Sequence, residues 1–314
     1  MIHCDNYICF EKIGIGCSCI VFHAYHKETK EEVAIKLINK DRFPSLKLSP
    51  FNNEISMLKS LKHPNVVSLV SFSDSVACVN SSNERLQMSY LGLEFLSQGD
   101  LFLYISKTGP FCEKFSRFLF HQLLEGLEYI HSNQVFHKDI KPENLMFDLE
   151  FTLKIVDFGL ATTEEFTRST SGTVPYMLPE IFRKDEYESS SADLFAAGVV
   201  LFNMVTSQSP FLSATPHDQL YKLLGTGNHG YFWSVHEKMN QKQDIFSEEL
   251  KSLLNLMLSA NPFERPCIEE IKASDWYKGS LPSKEEFRQE MAYRSKLLSN
   301  SDSFENDPRS TIED

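Results

Sequence analysis

The run Val135-Phe-His-Lys-Asp-Ile-Lys-Pro-Glu-Asn144, followed downstream by Asp157-Phe158-Gly159, constrains this chain more than any other stretch. Asp139 is a carboxylate able to accept a proton, Lys141 places a cation two residues on, and Asn144 adds an amide oxygen. Asp157 ends Lys154-Ile-Val-Asp157, which reads as a short apolar strand closing on an acid. A carboxylate and an amide oxygen are hard ligands of the kind Mg²⁺ takes alongside phosphates. A second carboxylate beside a cation suits the orientation and deprotonation of a hydroxyl nucleophile. The alternative, a solvated polar turn between helices, does not call for this joint spacing.

The two motifs resemble the catalytic loop and Mg²⁺ motif of eukaryotic protein kinases. That resemblance implies an α+β, two-lobed protein kinase fold over 7–277. A small antiparallel-sheet N-lobe with one helix would occupy about 7–94, a hinge 94–99, and a larger, mostly helical C-lobe 100–277, with the ATP cleft between. The order of elements agrees, strands first and mostly helices after. Beyond it, 278–314 reads as a charged, partly disordered tail; 285–298 is a candidate helix and 299–314 a disordered end. Docking or autoinhibition is one role for that tail, a frayed helix on the large lobe the other.

Residues 10–22 read as a strand, a glycine turn and a return strand, within a small sheet spanning 7–40. Val33-Ala34-Ile35-Lys36 is a further strand, and Asn53-Glu54-Ile55-Ser-Met57-Leu58 has helical spacing. By resemblance, Glu54 orients Lys36 toward the α- and β-phosphates, and Ile13, Gly14 and Gly16 belong to the nucleotide loop. The family's third loop glycine is Cys19 here, which stiffens the loop and places a thiol that is either inert or redox-sensitive. Strands are expected at 66–72 and 88–96, joined by a mobile polar loop at 74–84. The resemblance makes Leu93 the gatekeeper and gives the backbones of Glu94 and Leu96 to the adenine edge. It also gives Asp100 to the ribose, and Val21, Ala34 and Met146 to the faces of the ring.

Helices are expected at 115–132, 194–205, 250–258 and 268–276. The family pattern pairs Glu180 of Met177-Leu-Pro-Glu180 with Arg265 and uses Asp193 to brace the catalytic-loop backbone. It also makes Thr173 a fixed hydroxyl near Asp139 and Lys141. Ser169 and Thr170 are the candidate regulatory phosphosites. Lys138 replaces the more usual arginine as the cation before the catalytic aspartate, and lysine lacks the bidentate fork. Lysine two residues after the base is the serine/threonine pattern, and Gly172-Thr173-Val-Pro-Tyr176 and Asp275-Trp276-Tyr277 resemble the calcium/calmodulin-dependent and checkpoint-like branch. No EF-hand loop is present in the sequence.

The implied function is transfer of the γ-phosphoryl group of ATP, with Mg²⁺ held by Asn144 and Asp157, to protein serine or threonine hydroxyls. An upstream kinase acting on the activation segment is an implied partner. The rival is a pseudokinase scaffold, whose usual mark is loss of the lysine, the catalytic aspartate or the metal aspartate; all three are present. A net charge of −12 argues against nucleic acid. The seven cysteines, odd in number and without a Cys-x-x-Cys pair, read as free thiols in a reducing compartment. Without a signal-like start or a long apolar run, the expectation is a cytoplasmic or nuclear chain with no membrane span.

Overall fold

The computed structural model describes residues 1–16, 19–38, 49–241 and 245–305; Cys17 and 306–314 of the expected disordered end lie outside them. The chain forms two units, Met1–Ser97 with Val156–Ala161, and Gln98–Ile155 with Thr162 onward.

The first unit contains β1 (Ile2–Cys4), β2 (Tyr7–Ile15), β3 (Ile20–His26), β4 (Glu32–Ile38), α1 (Ser49–Leu58), β5 (Leu69–Asn80) and β6 (Arg85–Glu94). The strands close into a barrel in the order β1-β2-β3-β4-β6-β5. Side chains alternate across a strand, so Val33, Ile35 and Leu37 of β4 enter the barrel core with Tyr7, Cys9, Ala24, Cys78, Met88 and Tyr90. The same alternation turns Ala34 and Lys36 to the opposite face.

Three features of this unit differ from the sequence reading. Strand β1, ahead of the expected start of the sheet, pairs with β2 through Ile2↔Cys9 and with β5 through Cys4↔Cys78, which removes the sheet's edges. The polar stretch expected as a loop is instead the second half of β5, paired with β6 as far as Val79↔Arg85. Its serines hid the strand, while Val76 and Cys78 keep the inward alternation. Asn80 Oδ1 closes the turn by accepting from the amides of Ser82 (3.0 Å) and Glu84 (2.9 Å). Cys4 and Cys78 are joined as a disulfide with Cα atoms 4.3 Å apart, correcting the all-free reading for this pair. Barrel register, invisible in cysteine spacing, sets them opposite each other. Cys9, Cys19, Cys112 and Cys267 are free.

The second unit contains α2 (Leu101–Thr108), α3 (Glu113–Ser132), β7 (Leu145–Phe147), β8 (Leu153–Ile155), β9 (Phe166–Thr167), α4 (Pro179–Arg183), β10 (Tyr187–Glu188), α5 (Ser189–Thr206), α6 (Gln219–Gly225), α7 (His229–Met239), α8 (Glu248–Met257), α9 (Ile268–Ala273) and α10 (Lys284–Glu305). Helix α5 is apolar on every side, and each residue from Asp193 to Thr206 is buried, as expected of a helix at the centre of a core. It has the length and composition of a membrane span, yet 83% of it is buried inside the protein. Helix α10 runs to Glu305, beyond the expected end at 298. Phe287 packs against Phe115 and Phe118. Arg294 stacks on Phe111 at 3.8 Å and donates to Thr108 Oγ1 (2.8 Å) and to the carbonyls of Gly109 (2.7 Å) and Pro110 (2.9 Å), capping the end of α2.

His236 of α7 is fully buried against Phe202 and Phe232, and its Nε2 lies 3.1 Å from the Pro210 carbonyl. A neutral ring with the proton on Nε2 donates there and leaves Nδ1 bare, which matches the absence of a hydrogen-bond partner at Nδ1 among the described residues. Burial pushes the ring down to about 4 from 6.5. Between those values the unfolded chain binds the extra proton, so stability falls as pH drops from 6.5 toward 4. The loss attributable to this ring is about 3 kcal/mol. Thermal unfolding between pH 7 and pH 4 should therefore show a shallower acid slope for His236→Gln than for the wild type.

Candidate functional site

In the first unit, barrel register sets Gly14 opposite Val21, Val21 opposite Lys36, and Ala34 opposite Leu93. Paired residues share a face, so one surface of the barrel carries Gly14, Val21, Ala34, Lys36 and Leu93. Lys36 Nζ lies 2.6 Å from Glu54 Oε1 and 3.3 Å from Asp157 Oδ1. Burial by itself would lower the ammonium's pKa, but the two carboxylates outweigh it and hold the pKa above the ordinary lysine value.

Ile13 is exposed. The glycine turn closes through Gly16 N donating to Cys19 O at 2.8 Å. A Cβ on Gly16 would stand 2.9 Å from Cys19 Sγ, so the sulfur that replaces the third glycine occupies space beside the second. Burial pushes the Cys19 thiol up despite the charge of Lys36, which favours the inert reading over the reactive one. Glu94 is tied to Ser68 twice, its amide donating to the Ser68 carbonyl (3.0 Å) and its carboxylate accepting from the Ser68 amide (2.7 Å). Leu96 is buried.

In the second unit, Asp139, Lys141, Asn144 and Thr173 form one network. Asp139 Oδ1 accepts from Thr173 Oγ1 at 2.7 Å, and Oδ2 accepts from Lys141 Nζ at 2.6 Å and Asn144 Nδ2 at 3.2 Å. Lys141 also donates to Thr173 Oγ1 at 2.8 Å, and Asn144 Nδ2 to the Asp139 carbonyl at 2.8 Å. Asp193 stands under this loop, fully buried, and accepts from the amides of His137 (2.8 Å) and Lys138 (2.7 Å). Lys138 has φ 67°, a left-handed conformation that a side chain adopts only under local constraint. Burial would raise the Asp193 carboxyl, but the hydrogen bond from His131 Nε2, the nearby histidines and the Lys138 amide bring it below the ordinary value.

Asp100 caps α2, its Oδ1 accepting from Leu103 N at 2.7 Å, and its backbone bridges to Met146 in β7. Burial raises its carboxyl pKa. In the activation segment, Gly172 has φ 128°, and a Cβ there would stand 3.0 Å from the Lys138 carbonyl, so glycine is required by both conformation and space. Arg265 pairs with buried Glu180 and donates to Ser191 Oγ at 3.0 Å and the Ser259 carbonyl at 3.1 Å. Lys138 Nζ sits 5.7 Å over the Tyr187 ring, whose hydroxyl donates to the Ser169 carbonyl at 2.7 Å. Ser169 Oγ pairs with Ser171 Oγ at 2.8 Å, and Thr170 is exposed.

A family model described as the protein kinase domain matches residues 7–277. The chain belongs to the protein kinase family. It is 34% identical over 287 residues to CBL-interacting protein kinase 26 of Oryza sativa subsp. japonica, covering 88% of this chain and 53% of that protein. It is also 34% identical over 279 residues to CBL-interacting protein kinase 11 of the same organism, covering 85% of this chain and 50% of that protein. The chain thus spans about half the length of the curated relatives it matches.

Two residues of the chain that shape the candidate site escaped the sequence reading. His131, read only as part of a helix, bonds Asp193 at 2.8 Å across 62 residues of chain. Asn53 donates to backbone carbonyls next to Asp157. A histidine near the end of α3 and a polar residue before Glu54 were the available signals, and neither names its partner.

The Glu180–Arg265 pair is almost wholly buried, with side chains 6% and 4% exposed. Arg265→Met leaves a buried carboxylate without its main cation, so stability should fall by about 3–5 kcal/mol in urea unfolding. Glu180→Gln in the same chain should recover part of that loss.

Proposed function

We propose that this kinase transfers the γ-phosphoryl group of Mg·ATP to serine and threonine hydroxyls of proteins. The observation that carries the reading is Lys141, whose ammonium bridges Asp139 Oδ2 and Thr173 Oγ1 at 2.6 and 2.8 Å. A carboxylate has about four acceptor sites on its two oxygens. Among the described residues Oδ2 accepts two bonds and Oδ1 one, which leaves Oδ1 room to orient a substrate hydroxyl and take its proton. Lys141 then stands beside the transferring phosphoryl group, and Lys36, oriented by Glu54, positions the α- and β-phosphates. In the first unit the backbones of Glu94 and Leu96 and the faces of Val21 and Ala34 are the nucleoside-binding groups; in the second they are Asp100 and Met146.

The donor set fits a magnesium ion. Asn144 spends its Nδ2 on the Asp139 carbonyl and carboxylate, which turns its amide oxygen into the group left for a cation. The Asp157 side chain is 52% exposed. In the second unit the Asn144 amide oxygen, and in the first the Asp157 carboxylate, would each serve as a ligand for Mg²⁺, which would neutralise charge on the phosphates. The transition state is loose, so these side chains act by placing the reactants and balancing charge. Protein substrates, and a cytosolic or nuclear setting, belong to the same reading.

Transfer of labelled phosphate to a basic serine peptide tests it. Asp139→Asn should lower kcat by about 10²-fold or more, with nucleotide affinity retained. Equal activity in the variant overturns the assignment of the base. Silence in both forms, with ATP still bound, leaves an unphosphorylated inactive state or a pseudokinase scaffold.

Control by phosphorylation of Ser169 or Thr170 is part of the proposal. Lys138 over Tyr187, whose hydroxyl holds the Ser169 carbonyl, puts a half-buried cation against this segment. Burial lowers the Lys138 pKa, and a phosphate dianion nearby would favour its charged form. After treatment with an activating kinase, Ser169→Ala/Thr170→Ala should stay at basal activity while the wild type rises. An equal rise in both overturns the regulatory sites.

A further inference from the structure

Helix α1 sends two consecutive side chains to segment 157–161, and only Glu54 has a part in the reaction above. Glu54 holds Lys36 at 2.6 Å and accepts a hydrogen bond from the Phe158 backbone amide. Asn53, just before it, directs Nδ2 at three carbonyl oxygens, those of Ala161 (2.6 Å), Phe158 (3.3 Å) and Gly159 (3.4 Å). All of these atoms belong to the first unit.

The geometry answers a local need. Phe158–Leu160 is a single 3-10 turn, and the end of any helical turn leaves carbonyls without partners inside it. The residue that enters the turn, Asp157, is left-handed, with φ 67° and ψ 72°. A side chain holds that conformation only when its surroundings impose it. Helix α1 imposes it from two sides: an acceptor, Glu54, takes the Phe158 N–H, and a donor, Asn53, takes the carbonyls beyond. An aspartate at 53 would have the same shape but would bring a charge against three carbonyl dipoles.

We propose that Asn53 is a positioning residue whose amide, by donating to the carbonyls of Phe158, Gly159 and Ala161, locks the turn that aims the Asp157 carboxylate. The consequence for catalysis rests on the kinase function proposed above; the lock itself does not.

Asn53→Asp and Asn53→Ala, made in the full chain, separate a donor from a packing group. Hydrogen exchange at the amides of 158–161 is the first readout, and the Mg²⁺ dependence of nucleotide affinity and kcat/KM the second. Losing the donor should speed exchange there roughly three- to tenfold in the alanine variant and further in the aspartate variant, with the β1–β6 amides unchanged. Mg·ATP affinity should weaken in the same order, while affinity for nucleotide without metal holds. A residue that only packs predicts the reverse, with isosteric aspartate close to wild type and alanine worse; that order, or unchanged exchange in both variants, overturns the proposal. If the wild type transfers no phosphate, the function fails, while the exchange order still decides the role of Asn53.

Discussion

The loop that carries Asp139 in the second unit depends on one buried charge. Asp193 lies on the central helix α5 with no exposure, and an isolated carboxylate there would be prohibitively costly. It is stable because two loop amides and His131 bond it, and those bonds hold Lys138 in its left-handed conformation. That backbone in turn sets the direction of Asp139. The most apolar helix of the chain therefore carries the acid that organises its most polar loop, and burial keeps water from competing for the same hydrogen bonds.

The first unit uses the same logic with the signs changed. Lys36 is a mostly buried ammonium between two carboxylates, one on α1 and one on the turn after β8. The barrel contributes direction: the β3–β4 and β4–β6 ladders place Val21, Lys36 and Leu93 on one face. Helix α1 contributes both an acceptor and a donor to the turn, so charge pairing and backbone hydrogen bonding act on the same few peptides. In the second unit Gly172 and Thr173 play the matching part, one by letting the activation segment approach the Lys138 carbonyl, the other by bonding Asp139.

Much of the candidate site's contact pattern was legible from residue order alone. The lysine, the glutamate, the two aspartates and the asparagine are set by motif spacing, and the contacts of Lys36 with Glu54, Arg265 with Glu180, and Thr173 with Asp139 fall where the family resemblance put them. Alternation along Val33–Leu37 was enough to give Lys36 its face, because a strand's period is local. The uniform apolarity of 194–205 was enough to bury α5, because no face of that helix suits water.

Partners distant in sequence were decided only by the tertiary structure. Strand β1 is too short to announce itself, and it exists because β2 and β5 offer it two ladders. The outer half of β5 is polar enough to read as a loop, and its pairing with β6 and β1 makes it a strand. The Cys4–Cys78 bond follows from that register rather than from any spacing. Nor does composition tell His131 to find Asp193, or Asn53 to find the Ala161 carbonyl. Sequence periodicity states which face a residue takes; which group waits on that face is settled when the chain closes on itself.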